Sequence, residues 1–168
     1  MLNADELNYL KKIPHNKKFI YQEFNTQTKN IYDDISRKIN KLFPNITIIQ
    51  LGASALGIGG QNDIDIYILA KKTNFKIYLN NLINLFGTSN SENETSIAWK
   101  FSVKGLSVEL YLTDPNSQSM KRQLAVFKIL NKNNSLRQEY DDLKRKLSGK
   151  NFKEYQKQKY IFYHRILD

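Results

Sequence analysis

Between Phe24 and Leu42 the apolar positions are Phe24, Ile31, Ile35, Ile39 and Leu42, at spacings near four that put them on one face of an amphipathic helix. Pro44 and Asn45 end it. Residues 46–51 are short, β-branched and apolar, which reads as a buried strand, and residues 52–62 as a loop opening with one helical turn. Residues 63–70 form the next strand. In residues 74–86, Ile77, Leu79, Leu82, Ile83 and Phe86 mark a helix that Gly87 closes. Residues 96–103 and 106–113 are strands around Lys104-Gly105, a hairpin signal. Three further stripes predict three helices: Met120, Leu124, Phe127 and Leu130; then Leu136, Tyr140, Leu143 and Leu147; then Phe152, Tyr155, Phe162 and Ile166. The order of elements predicts an α+β domain, a small mixed sheet with flanking helices and a helical C-terminal third. Within that single domain, residues 23–115 form the core and 116–168 the packing helices. Residues 1–22, interrupted at Pro14, read as a loosely ordered N-terminal segment.

Composition narrows the chemistry. The chain has 168 residues, of which 40% are hydrophobic, enough for one core. No cysteine is present, so disulfides, thiolate metal sites and cysteine nucleophiles are excluded, and a reducing, cytoplasmic setting is expected. No apolar run is long enough to span a membrane, and residues 1–12 lack the apolar core of a secretion signal. The two histidines, His15 and His164, form no metal-binding pair and receive no role. A net charge of +10 points to an anionic partner, although Lys, Asn and Ile are all abundant, a general bias that supplies part of the lysine excess. The lysines of 144–146, with Lys150, Lys153 and Lys157, fit an RNA-contacting surface or a solvated face, the latter being the simpler reading.

The stretch from Leu51 to Ala70 sets Asp63 and Asp65 into an apolar strand. Side chains alternate along a strand, so both carboxylates share one face, about 6.5–7 Å apart at the Cα, while Ile64, Ile66 and Ile68 enter the core. Two carboxylates so placed repel each other unless a cation or hydrogen-bond donors compensate. A hard dication, Mg2+ or Mn2+, takes one or two protein carboxylates and completes its shell with water and phosphate oxygens. Immediately upstream, Gly52, Ser54, Gly57, Gly59 and Gly60 fall within nine positions of a chain that has 7 glycines in all. Glycine backbones approach phosphate oxygens closely and Ser54 offers a hydroxyl donor. Glu109, on the late strand, is the candidate third carboxylate, and Lys121 with Arg122 are candidates for holding a triphosphate.

Gly52, Ser54, Gly57 and then Asp63-Ile64-Asp65-Ile66 resemble the signature of the polymerase-β type nucleotidyltransferase superfamily, and Glu109 matches its third acid in type and order. Within it the chain is most similar to the GrpB family. The similarity rests on Tyr140, Leu143, Lys144 and Leu147, then Tyr155, Lys159 and Phe162, and covers residues 46–168. Ala53 stands where the superfamily has Gly or Ser. Gln61-Asn62 precede the aspartates where GrpB proteins carry Lys-Pro, and Glu109-Leu110-Tyr111 replaces a His-x-His. The resemblance implies a metal-dependent enzyme that moves a nucleoside monophosphate from a nucleoside triphosphate such as ATP to an acceptor hydroxyl on RNA, protein or a small molecule. Asp63, Asp65 and Glu109 would be catalytic and metal-binding, and Gly52, Ser54, Gly57, Lys121 and Arg122 would bind the nucleotide. The alternative is a degenerate nucleotide- or RNA-binding module of the same fold.

Overall fold

The computed structural model describes residues 2–168. Its centre is a five-stranded mixed sheet in the order β1-β2-β5-β4-β3, built from β1 (Thr47–Leu51), β2 (Ile64–Leu69), β3 (Ser91–Glu92), β4 (Ser96–Val103) and β5 (Leu106–Thr113). β2 and β5 are parallel, and the other neighbours are antiparallel. The β4–β5 hairpin turns at Lys104-Gly105, both at positive φ, as a primed two-residue turn requires. β3 escaped the sequence reading because two exposed residues carry no alternation.

Pleating splits the sheet into two unlike faces. Ile64, Ile66, Ile68, Val108, Leu110, Leu112 and Trp99 pack against α2 (Gln27–Leu42) and α4 (Phe75–Phe86), through Ile31, Ile35, Ile39, Phe75 and Leu82. The opposite face presents Asp65, Tyr67, Glu109 and Tyr111. Tyr67 and Tyr111 stack at 4.8 Å between ring centroids and help bury Met120 of α5 (Gln118–Lys132). α6 (Asn134–Leu147) and α7 (Phe152–Leu167) complete the helical third around Val126, Leu130, Tyr140 and Phe162.

The N-terminal residues, expected to be loose, form α1 (Ala4–Lys12), started by an Asn3–Glu6 capping box. Leu10, Ile13 and Phe19 bury themselves with Phe152 and Tyr155 of α7. Pro14 does end α1, but the chain after it is held: Lys18 pairs with Asn151 in an antiparallel bridge and Gln22 with Gly60. Among the described residues, no helix is long and apolar enough to cross a membrane.

Candidate functional site

β1 ends where β2 begins, because the two are antiparallel and Leu51 lies opposite Asp65. The chain then turns at Gly52 into the single-turn helix α3 (Gly52–Ala55). Gly52 has φ +82 and its Cα lies against the Asp65 carboxylate, so a side chain there would be strained and would push into Asp65 Oδ2. Buried Ser54 donates its hydroxyl hydrogen to the Asp63 carbonyl at 2.8 Å and accepts from Gln50 Nε2 at 3.1 Å. That hydrogen bond fixes the start of β2. In this arrangement the Ser54 hydroxyl hydrogen, expected to serve a phosphate, makes a positioning contact within the chain. Gly57, at φ +68 and exposed, turns the chain out of α3 where a side chain would meet open space.

The rest of the loop is braced from outside the sheet. Gly60 exchanges backbone hydrogen bonds with Gln22, and Gly59 lies so close under the Tyr21 ring that no side chain fits. Lys144 of α6, 0% exposed, donates to the Gly59 carbonyl and pairs with Asp141 at 3.6 Å. Reading Lys144 as part of a solvated run is thereby corrected: it follows Tyr140 and precedes Leu147 on the buried stripe of α6. Burial pushes its pKa down to about 8, partly opposed by Asp141. Asp141 also accepts from Arg145 and Tyr21, and Arg145 reaches Glu23.

The three acidic residues meet as the register dictates. Asp65 is directly opposite Glu109 in the parallel β2–β5 pair, and Asp63 lies one residue before β2 on the same face. Asp63 and Asp65 are half-buried, and no side chain of the described residues hydrogen-bonds to either carboxylate. Burial, then the neighbouring Asp63 and Glu109 charges, drives the Asp65 pKa well above the usual carboxylate value; Asp63 is raised chiefly by burial. Glu109 differs. Burial also works to raise its pKa, but Lys100 at 2.7 Å and the Tyr111 hydroxyl bond its oxygens and hold it below the ordinary value. Among the described residues no three acid or histidine side chains are gathered into a ready metal cage. The Asp63–Asp65 pair alone fits a dication that draws its other ligands from water and phosphate. Two mutually repelling carboxylates to which no side chain of the described residues hydrogen-bonds are donors of the kind such an ion takes.

Lys159, on the inner side of α7, was given no role from the sequence beyond its place in the family resemblance. Its charge lowers the pKa of all three carboxylates, and it forms no direct ion pair among the described residues. Burial opposes its charge, yet Tyr163, Tyr155 and Asp65 hold its pKa well above the ordinary lysine value. The available sequence signal was a lysine between Tyr155 and Phe162 on an otherwise apolar stripe. Arg122 goes elsewhere: its guanidinium pairs with Glu6 of α1 at 2.7 Å, and the second Glu6 oxygen takes His164 at 2.8 Å. Lys121 is exposed on α5.

The protein is an α+β domain whose mixed sheet, at its parallel β2–β5 pair, brings three carboxylates to one face beside a glycine turn pressed against Asp65. The family model described as GrpB protein matches residues 20–168, and the chain belongs to that family. Comparison with curated proteins gave no match. Among solved structures the chain is similar to one described as the structural basis for the activity of a cytoplasmic RNA terminal U-transferase, at TM-score 0.43 and 11% identity, over 84% of this chain. This chain spans 45% of the length of that protein.

Proposed function

We propose that the protein is a nucleotidyltransferase that uses Mg2+ or Mn2+. The observation that carries this reading is the Asp63–Asp65 pair, to which no side chain of the described residues hydrogen-bonds, with Glu109 across one rung of the sheet and the Lys159 charge bearing on both. Asp63 and Asp65 would hold the dication, which supplies charge neutralisation for the departing pyrophosphate. Lys159 adds a fixed positive charge that bears on the same carboxylates, and Gly52 lets the backbone pass close against Asp65. The acceptor hydroxyl oxygen bonds to the α-phosphorus, and the bond from that phosphorus to the bridging oxygen breaks. Pyrophosphate leaves with the electron pair, and the acceptor proton passes to Glu109. Glu109 is free for this at Oε1 once Lys100 exchanges away, a pair worth about 1 kcal/mol or less, while Tyr111 keeps its bond to Oε2.

A second reading, a nucleotide-binding module without transfer, draws on the Lys100 and Tyr111 bonds that occupy Glu109. The deciding experiment is incubation with α-labelled nucleoside triphosphates, Mg2+ or Mn2+ and a cell extract, wild type beside Asp65→Asn. Metal-dependent label on an acceptor with wild type alone supports transfer. Nucleotide binding with no labelled product supports the module, and transfer undiminished in Asp65→Asn would refute the site.

A further inference from the structure

α1 runs antiparallel along α7: Glu6 meets His164, Tyr9 meets Tyr160, and Leu10 and Ile13 cluster with Phe152 and Tyr155. The last turn of α1 therefore lies beside the first turns of α7, and the segment after Pro14 is stitched to the same place. Phe19 N donates to the Lys150 carbonyl, Phe152 N donates to the Lys17 carbonyl, and Lys17 Nζ sits 3.9 Å over the Phe152 ring. Six lysines converge there: Lys12, Lys17, Lys18, Lys150, Lys153 and Lys157. Among the described residues none of the six forms an ion pair. Glu154 is the acid interspersed with them, and it accepts from Gln158 at 2.8 Å. The spacing of Lys153, Lys157, Tyr160 and His164 follows one stripe of α7. That stripe leads from the lysines to Tyr160, edge-on to the 43% exposed Tyr9. Lys159, the neighbour of Tyr160 in sequence, lies off this stripe, and its charge bears on the three carboxylates.

From this continuity we infer that the lysine surface is the seat of the acceptor, a single-stranded nucleic acid, whose phosphates lie along Lys17, Lys153 and Lys157 and whose end passes Tyr9 and Tyr160 to present a terminal hydroxyl at Glu109. The assignment of a terminal hydroxyl rests on the transferase reading, whereas the binding surface does not. A dense set of unpaired cations beside an exposed aromatic edge is how single strands are held without sequence readout. The stripe is a linear run of lysines leading to the Tyr9–Tyr160 pair, which favours a strand over a flat anionic partner.

The test is anisotropy of fluorescent 20-nucleotide RNA and DNA of one sequence, without nucleotide or divalent metal, against wild type and two charge-matched triples. One is Lys17→Gln, Lys153→Gln and Lys157→Gln. The other is Lys38→Gln, Lys41→Gln and Lys76→Gln, exposed lysines on the α2–α4 side. The first triple is expected to weaken binding at least roughly tenfold and to flatten the salt dependence by about 2 units of logarithmic slope; the second is expected to change binding less than threefold. The tighter of the two polymers identifies the sugar. Equal losses from both triples would reduce the effect to net charge and overturn the inference, as would binding to anionic vesicles with none to either polymer. Asp65→Asn keeps this binding while losing transfer. If wild type binds strands by this surface but transfers nothing, the transferase reading falls and the surface stands.

Discussion

Asp65 and Glu109 occupy matched positions on neighbouring parallel strands, yet their carboxylates sit in opposite electrostatic circumstances. Glu109 is held by Lys100 and Tyr111 and kept ionised, whereas Asp65 has burial and two acidic neighbours against its charge. The sheet register thus separates one group that readily carries charge from one whose charge its surroundings oppose. Such divergence between neighbouring titratable groups is what acid–base and metal chemistry exploit.

Asp65 makes stability depend on pH and on metal. Its folded pKa is raised, so the folded state binds more protons than the unfolded chain above the usual carboxylate range. Its contribution is fullest below that range and declines as pH rises through the folded value. Asp65→Asn is expected to melt higher than wild type at pH 8, with the gap closing toward pH 4. Mg2+ at ten times its Kd should raise wild-type stability by about 1.4 kcal/mol and the variant's hardly at all. Thermal melts across pH with and without Mg2+ check this, and equal Mg2+ stabilisation of both proteins would contradict it.

Lys100 competes with any dication for Glu109. The pair is short, at 2.7 Å, but its side chains are 56% and 24% exposed, so its loss costs folding about 1 kcal/mol or less. Lys100→Met is expected to tighten Mn2+ binding roughly threefold to tenfold, because Glu109 is released toward the aspartates. Calorimetric titration with Mn2+ decides. Weaker binding in the variant would mean that Lys100 orients Glu109 for the metal instead of withholding it.

The carboxylate face was legible because strand alternation is local: Ile64, Ile66 and Ile68 had to enter the core, so Asp63 and Asp65 had to face away. The meeting of Asp65 with Glu109 needed one further step, that the β4–β5 hairpin lay against β2, and the register bears out that adjacency. Lys144 and Lys159 were harder. Each is a cation on an apolar helical stripe, and the stripe was read for its apolar members alone. Their partners, the Gly59 carbonyl and the three carboxylates, lie far off in sequence, so periodicity cannot find them. Arg122 failed for the same reason, since its partner Glu6 lies in a segment read as loose.

Lys144 braces the glycine loop at a thermodynamic cost that pH exposes. Its folded pKa of about 8 lies below the unfolded value, so between these two values the unfolded chain holds a proton the folded one lacks. Stability from this group therefore rises as pH increases above about 8. Lys144→Met should abolish that rise and lower stability at pH 7 by about 1–3 kcal/mol, because the Gly59 carbonyl loses its donor. Denaturant midpoints at pH 7, 8 and 9 read both effects. A variant that kept the wild-type pH slope would assign the slope to another group.

Glu6 ties α1 to both α5 and α7 through Arg122 and His164, with the Asn3 backbone as a third donor at 2.9 Å. Burial works to raise its pKa, but His164, Asn3 and Arg122 hold it below the ordinary value. Its stabilising contribution is present at neutral pH and is lost as pH falls from the usual glutamate range through the lower folded value. Glu6→Gln keeps the shape and removes the charge, leaving Arg122, whose Nη2 is already buried without a partner, facing a neutral amide. The expected loss is about 1–3 kcal/mol, reduced by the partial exposure of Arg122 and concentrated in α1. Hydrogen exchange should show faster exchange over residues 4–12 while β2 and β5 keep their protection. Unchanged protection of α1 would mean that Leu10 and Ile13 hold the helix by apolar contact alone, and that the clamp serves only to fix the position of Arg122.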